Sequence, residues 1–144
     1  MNYFAKKCGL IPKDDIDAAF ADMFALQFTD VFNVISAITI NPNNLTSSKQ
    51  LESYNSFFNS IWTLTLNKTE ERIKANKYKV IAGKEISYTD LYLSSLLDLA
   101  ATPGTNRTRN EFLNIYPNIK NLDIKVRSLP RIAKWLITRP KTDI

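Results

Sequence analysis

Between Asp14 and Ile38 the residues Ile16, Phe20, Phe24, Phe28, Val31 and Ile35 recur at three- and four-residue steps. This is the period of one face of an α-helix, and a pattern sustained that long is too extended for a strand. Asp14, Asp15 and Asp17 crowd the expected first turn, where the helix macrodipole favours negative charge. A metal cluster of these three aspartates is the rival explanation, but they lack the spacing of a calcium loop and capping alone accounts for them. The tetrad Asn41-Pro42-Asn43-Asn44 then breaks the helix.

The same period returns along the chain. Ser47 with Gln50 has the form of a capping box opening a helix to about Asn76, with Leu51, Phe58, Ile61, Trp62 and Leu66 among its apolar positions. Residues Lys77 to Glu85 form a short connection, with Val80 and Ile81 expected to dock on the core. Ser87 and Asp90 make a second box: Ser87 accepts from the N–H at the third helical position, and Asp90 reaches back to the N–H of Ser87. Ile86 and Leu91 have the spacing of the hydrophobic staple that fixes the entry angle, and Leu93, Leu96, Leu97 and Ala100 continue one face until Thr102-Pro103-Gly104-Thr105. A short helical piece is expected over Glu111 to Ile115, then a helix opening at Pro117 with Ile119, Leu122, Val126 and Leu129 on one face. Ser128 and Pro130 are expected to start a last helix through Leu136, stopped by Arg139-Pro140. No alternating strand, repeat or glycine-rich loop interrupts this series. The fold class is therefore all-α, a helical bundle.

Composition narrows the chemistry. A chain of 144 residues with 44% hydrophobic and 23% charged residues is one soluble globular domain. There is no histidine, which excludes imidazole acid–base chemistry and His–metal sites, and one cysteine, Cys8, which excludes an internal disulfide and a zinc finger. No apolar run approaches the length of a membrane span and the start lacks a signal peptide, so a cytoplasmic protein with no membrane partner is expected. The sequons at Asn44, Asn67 and Asn106 then carry no weight. The net charge of +5 comes from scattered lysines without interleaved aromatics, which gives no nucleic-acid platform. No nucleophile and base can be paired, so residue types alone identify a helical domain without an activity.

Three stretches add a resemblance. Gly83-Lys84-Glu85-Ile86-Ser87-Tyr88-Thr89-Asp90-Leu91-Tyr92 resembles the segment of cytosolic glutathione transferases that carries their buried capping box and staple, with Thr89 in place of the usual alanine. Tyr116-Pro117-Asn118-Ile119-Lys120-Asn121-Leu122, Val126 to Leu136 and Arg139-Pro140-Lys141-Thr142 resemble the tail of sigma-class and related nematode and arthropod members. Asn2 to Leu10 is similar to the end of the helix that closes the family's thioredoxin-like domain. The order and spacing agree over the whole chain.

The resemblance implies a division into residues 1–10, a remnant of that closing helix with the linker, and residues 11–144, the C-terminal helical domain. It implies that Asp14 to Ile38 lines the dimer interface and one wall of the second-substrate pocket. Asp30 falls where the family places a carboxylate that reaches across the dimer to the γ-glutamyl amino group of glutathione, and Phe32 and Ala37 would border the pocket for an apolar electrophile. Asp22 matches an aspartate common in that helix. Leu26 and Thr29 stand where some prostaglandin D synthases of the family add carboxylates for a divalent cation, so no metal is implied. Glutathione would be a co-substrate, with no resident cofactor, and the partner a second copy of the chain. None of the tyrosines aligns with the one that stabilises the thiolate in the family, so no catalytic residue carries over and the chain alone is expected to be inert. An incomplete or truncated transferase is the expectation, with Met1 to Leu10 frayed or exposing apolar surface. The rival expectation is a non-catalytic helical interaction module of the same ancestry.

Overall fold

The computed structural model describes residues 2–40, 47–101 and 108–140. The helices are α1 (Asn2–Lys7), α2 (Asp15–Ile40), α3 (Ser47–Phe57), α4 (Thr63–Ala75), α5 (Tyr88–Ala100), α6 (Arg109–Ile115), α7 (Pro117–Arg127) and α8 (Pro130–Thr138). Among the described residues there is no strand. The expected break at Asn41-Pro42-Asn43-Asn44, the stop at Thr102-Pro103-Gly104-Thr105 and the side chains of Ser47, Gln50 and Leu51 lie outside what is described.

Helix α5 is the centre of the bundle and packs on α2, α6 and α7, while α4 closes the far side against α7. Its buried Leu93, Leu96 and Leu97 meet Phe28, Val31 and Ile35 of α2, Leu66 and Ile73 of α4, and Ile119, Leu122 and Val126 of α7 in one continuous core. Val80 and Ile81 are fully buried in the same core, as their connection required. Asp14 caps α2, its Oδ1 accepting from the N–H groups of Ile16 and Asp17 at 3.0 and 3.1 Å.

Three features depart from the expected course. Helices α3 and α4 are joined by a π-helical turn, Phe58–Trp62, where the Thr63 hydroxyl donates to the Phe58 carbonyl at 2.5 Å. The widened turn lets the adjacent Phe57 and Phe58 both bury beside Trp62 and Phe112 in a cluster of four rings. The last helix is capped by Leu129 and not by Ser128, whose hydroxyl instead donates back to Lys125, and it runs on to Thr138. Leu129 has ψ of 129° because the residue before a proline is pushed out of the helical region, so the boundary must fall there. Lastly, Asp15–Ala37 of α2 is long and apolar enough to cross a bilayer by length and composition. In this fold Ala21, Phe24, Phe28, Val31 and Ile35 of that stretch are packed in the protein interior.

The N-terminal residues form a short helix with one side docked. Ala5 is buried with Ala21, Ala82 and Tyr88 in a small second cluster, whereas Tyr3 and Phe4 are 65% and 72% exposed. The helix ends in a Schellman arrangement: Gly9 has φ of +67°, and the N–H groups of Gly9 and Leu10 donate to the Lys6 and Ala5 carbonyls.

Candidate functional site

Two sets of residues were singled out by the sequence, and the structure places them in opposite surroundings. The first is the corner formed by the end of α4, residues 76–87 and the start of α5. Asp90 is buried, and its Oδ2 accepts from the Ser87 N–H at 2.7 Å and the Ser87 hydroxyl at 2.9 Å, while Oδ1 accepts from the Ile81 N–H at 2.9 Å. Burial pushes its carboxyl above the ordinary value, opposed by the N–H groups of Ile81 and Ser87. Ile86 and Leu91, the two staple residues, are partly buried and packed on the core.

The corner is pinned from α4 as well. The Arg72 guanidinium donates to the Ile81 carbonyl at 2.8 Å, stacks over the Phe20 ring at 4.0 Å and lies 3.8 Å from Asp17. The Asn76 amide donates to the Gly83 carbonyl at 3.0 Å. Gly83 has φ of +75°, and a Cβ there would stand 3.3 Å from Cβ of Pro12, so both backbone angle and space call for glycine.

The second set lies on α2. The residues expected there are Asp30, Phe32 and Ala37. Asp30 and Ala37 fall in a row with Ile16, Ala19, Met23, Leu26 and Asn33 at three- and four-residue steps, all exposed. This is the spacing of one helical face. Ile16 thus lies outside the core face that its spacing predicts. Asp30 and Ala37 therefore share one face. Phe32, 41% exposed, lies roughly 160° around the helix from Asp30, beside the buried side of α2. Asp30 makes no hydrogen bond or ion pair among the described residues. At the seam's edge the Tyr88 hydroxyl donates to Asp22 at 2.5 Å, and burial together with Asp22 raises its pKa far above the tyrosine norm. An open groove between α2 and α3 is lined by Val34, Lys49, Phe57 and Ile61, and none of Asp30, Phe32 and Ala37 borders it.

Other polar contacts went unread in the sequence. Thr108 and Glu111 form a capping box on α6, signalled by their spacing but read only as part of a sequon. Glu70 of α4 caps α7, accepting from the N–H groups of Asn118 and Ile119 at 2.9 Å each. Arg109 of α6 bridges Asp98 and Asp123, and Arg127 reaches the same two carboxylates. Among the described residues no group of three or more His, Cys, Asp or Glu could hold a metal ion.

The comparisons with known proteins agree with this architecture. The family described as "Glutathione S-transferase, C-terminal domain" matches residues 29–139. A glutathione S-transferase of Anopheles gambiae is 22% identical over 99% of this chain and 66% of its own length. Glutathione S-transferase S1 of Drosophila melanogaster is 23% identical over 95% of this chain and 51% of its length. The chain thus spans between half and two thirds of these relatives. Among solved structures, monomeric Na-GST-3, a glutathione S-transferase of the hookworm Necator americanus, superposes with a TM-score of 0.80 at 25% identity, covering 99% of this chain and 67% of that one. Prostaglandin synthase D of Nilaparvata lugens gives 0.81 at 25% identity, covering 97% and 66%. The match over most of the chain, with the capped central helix and the proline-led α7 and α8 in place, shows that this chain belongs to the glutathione S-transferase C-terminal domain family.

Proposed function

We propose that this chain is the helical half of a sigma-like glutathione transferase, acting in the cytoplasm on apolar electrophiles. The observation that carries this is the outward face of α2, where an unpaired carboxylate, Asp30, interrupts an exposed apolar seam. A carboxylate in that setting suits a ligand ammonium, because a charge-assisted hydrogen bond is among the stronger polar contacts. Ala37 on the same face would border the electrophile, Phe32 would meet it only from the other side of α2, roughly 160° around the helix from Asp30, and a second copy of the chain would cover the seam.

In such a reaction the glutathione thiol loses its proton, the thiolate attacks the electrophilic carbon, and the leaving group departs. Residues of this chain bind and orient. Lowering the thiol pKa falls to a thioredoxin-like domain supplied in addition, and the 144 residues alone are inert. Placing the thioredoxin-like domain of a relative before Asn2 tests this, with conjugation of glutathione to an aryl halide as the readout. Turnover by the fusion and none by the chain alone is expected. A folded, inactive fusion would instead favour a non-catalytic interaction module, for which the exposed seam is also suited.

A further inference from the structure

The net charge of +5 is not spread over the chain. Residues 1–115 hold twelve basic and twelve acidic side chains, whereas residues 116–144 hold seven basic against two acidic. The whole excess thus lies from α7 onward, and a one-sided distribution of this kind favours an anionic partner. The acids that could neutralise it are engaged elsewhere. Asp98 and Asp123 are paired with Arg109 and Arg127, and Glu70 accepts from backbone N–H groups at the start of α7. Lys125, Arg131, Lys134 and Arg139 are exposed and form no ion pair among the described residues.

Helix α8 adds apolar surface to this charge. Ile132, Ala133 and Leu136 are half-buried against the bundle, and no residue of α8 is fully buried. Its apolar arc is wider than the strip the bundle covers: Trp135 on one edge is 59% exposed and Ile137 on the other is 84% exposed. Arg131, Trp135 and Arg139 stand at four-residue steps, so one edge of the helix presents an indole between two guanidiniums. Basic residues beside an apolar stripe, with a tryptophan at the boundary, are the make-up of a helix that lies at a lipid–water interface. Nucleic acid is the other polyanion to consider. A single indole with exposed isoleucines for neighbours gives bases no stacking platform.

We propose that α8 docks on an anionic lipid surface, with the Trp135 indole in the headgroup layer and Arg131 and Arg139 holding lipid phosphates on either side. Lys125 and Lys134 add attraction at longer range. Adhesion from one side needs no spanning segment, and it stands whether or not the transferase reading above holds.

The test adds vesicles to the full chain and reads sedimentation together with tryptophan emission. Trp62 is buried, so a blue shift on binding reports Trp135. Vesicles rich in phosphatidylserine should carry the chain down and shift its emission to the blue. Vesicles of phosphatidylcholine alone should bind about tenfold less, and high salt should weaken the binding to phosphatidylserine. The double variant Arg131→Gln, Arg139→Gln should lose about tenfold or more in partition at an unchanged melting temperature, since both side chains are exposed. Trp135→Ala should bind the same vesicles more weakly and without the shift. Equal binding to the two lipid compositions, unchanged partition of the double variant, sedimentation without a blue shift, or tighter binding to a single-stranded oligonucleotide than to the vesicles would each overturn the proposal.

Discussion

The corner at residues 76–90 and the outward face of α2 are built from the same kind of sequence and do opposite things. At the corner Asp90, Arg72 and Asn76 all spend their polar atoms on backbone groups of residues 81–87, and the apolar residues around them are buried. On α2 the seam residues expose apolar surface, Met23 and Leu26 by 50% and 68%, around a carboxylate with nothing to hold. A buried acceptor with three donors is expensive to remove, because its donors cannot return to water. An exposed carboxylate costs nothing to remove and everything to the partner that needs it. The difference separates the residues that make the fold from those available for binding.

Substitutions should reproduce that separation as a gradient in stability. The largest effect is expected for Asp90→Ala, on the order of 3 kcal/mol, since it orphans the Ile81 and Ser87 N–H groups. Denaturant unfolding would read this as a lowered midpoint, and a midpoint within error of the parent would mean that the corner does not hold the helix. Arg109→Met should cost about 2 kcal/mol, because it leaves the buried Asp123 with only the Ser94 hydroxyl and the more distant Arg127 among the described residues. Glu70→Gln should cost about 1 kcal/mol, weakening the side-chain cap of α7, and calorimetry can resolve it.

Tyr88→Phe should cost less than this near neutral pH and reveal itself in alkali. A tyrosine whose folded pKa is raised above the ordinary 10 holds its proton more tightly folded than unfolded, so its contribution is intact below that value and lost as pH rises beyond it. The parent should therefore lose stability above about pH 10 more steeply than Tyr88→Phe, and parallel curves would contradict the buried donor. The smallest effect on stability belongs to the open face. Leu26→Lys should change unfolding by no more than about 0.5 kcal/mol while weakening self-association measured by sedimentation. A large loss of stability would place Leu26 in the core of the fold and erase the contrast.

The same contrast marks what could be read from the sequence. The period of α2, the Ser87 and Asp90 box with its Ile86 and Leu91 staple, and the proline opening α7 are local signals, and the helices they predict are present. Glu70 stands 48 residues from the helix it caps, and Arg109 and Asp123 pair across 14 residues, so neither contact has a spacing to recognise. The π-helical turn arises from packing four rings together, which no single helical period encodes. Ser128, two residues before Pro130, has the residue type of a cap, whereas the proline's own constraint on Leu129 decides the boundary. At the candidate site, exposure of the α2 seam could not be seen in one chain, since Ile16, Met23 and Leu26 on the outward side are as apolar as the residues inside.

The most direct measurement is the KM for glutathione of the thioredoxin-domain fusion carrying Asp30→Asn, set beside its melting temperature. A carboxylate that holds the ammonium of glutathione predicts a KM raised by about tenfold or more at an unchanged melting temperature. An unaltered KM in an active fusion would show that the open face of α2 takes no part in binding glutathione.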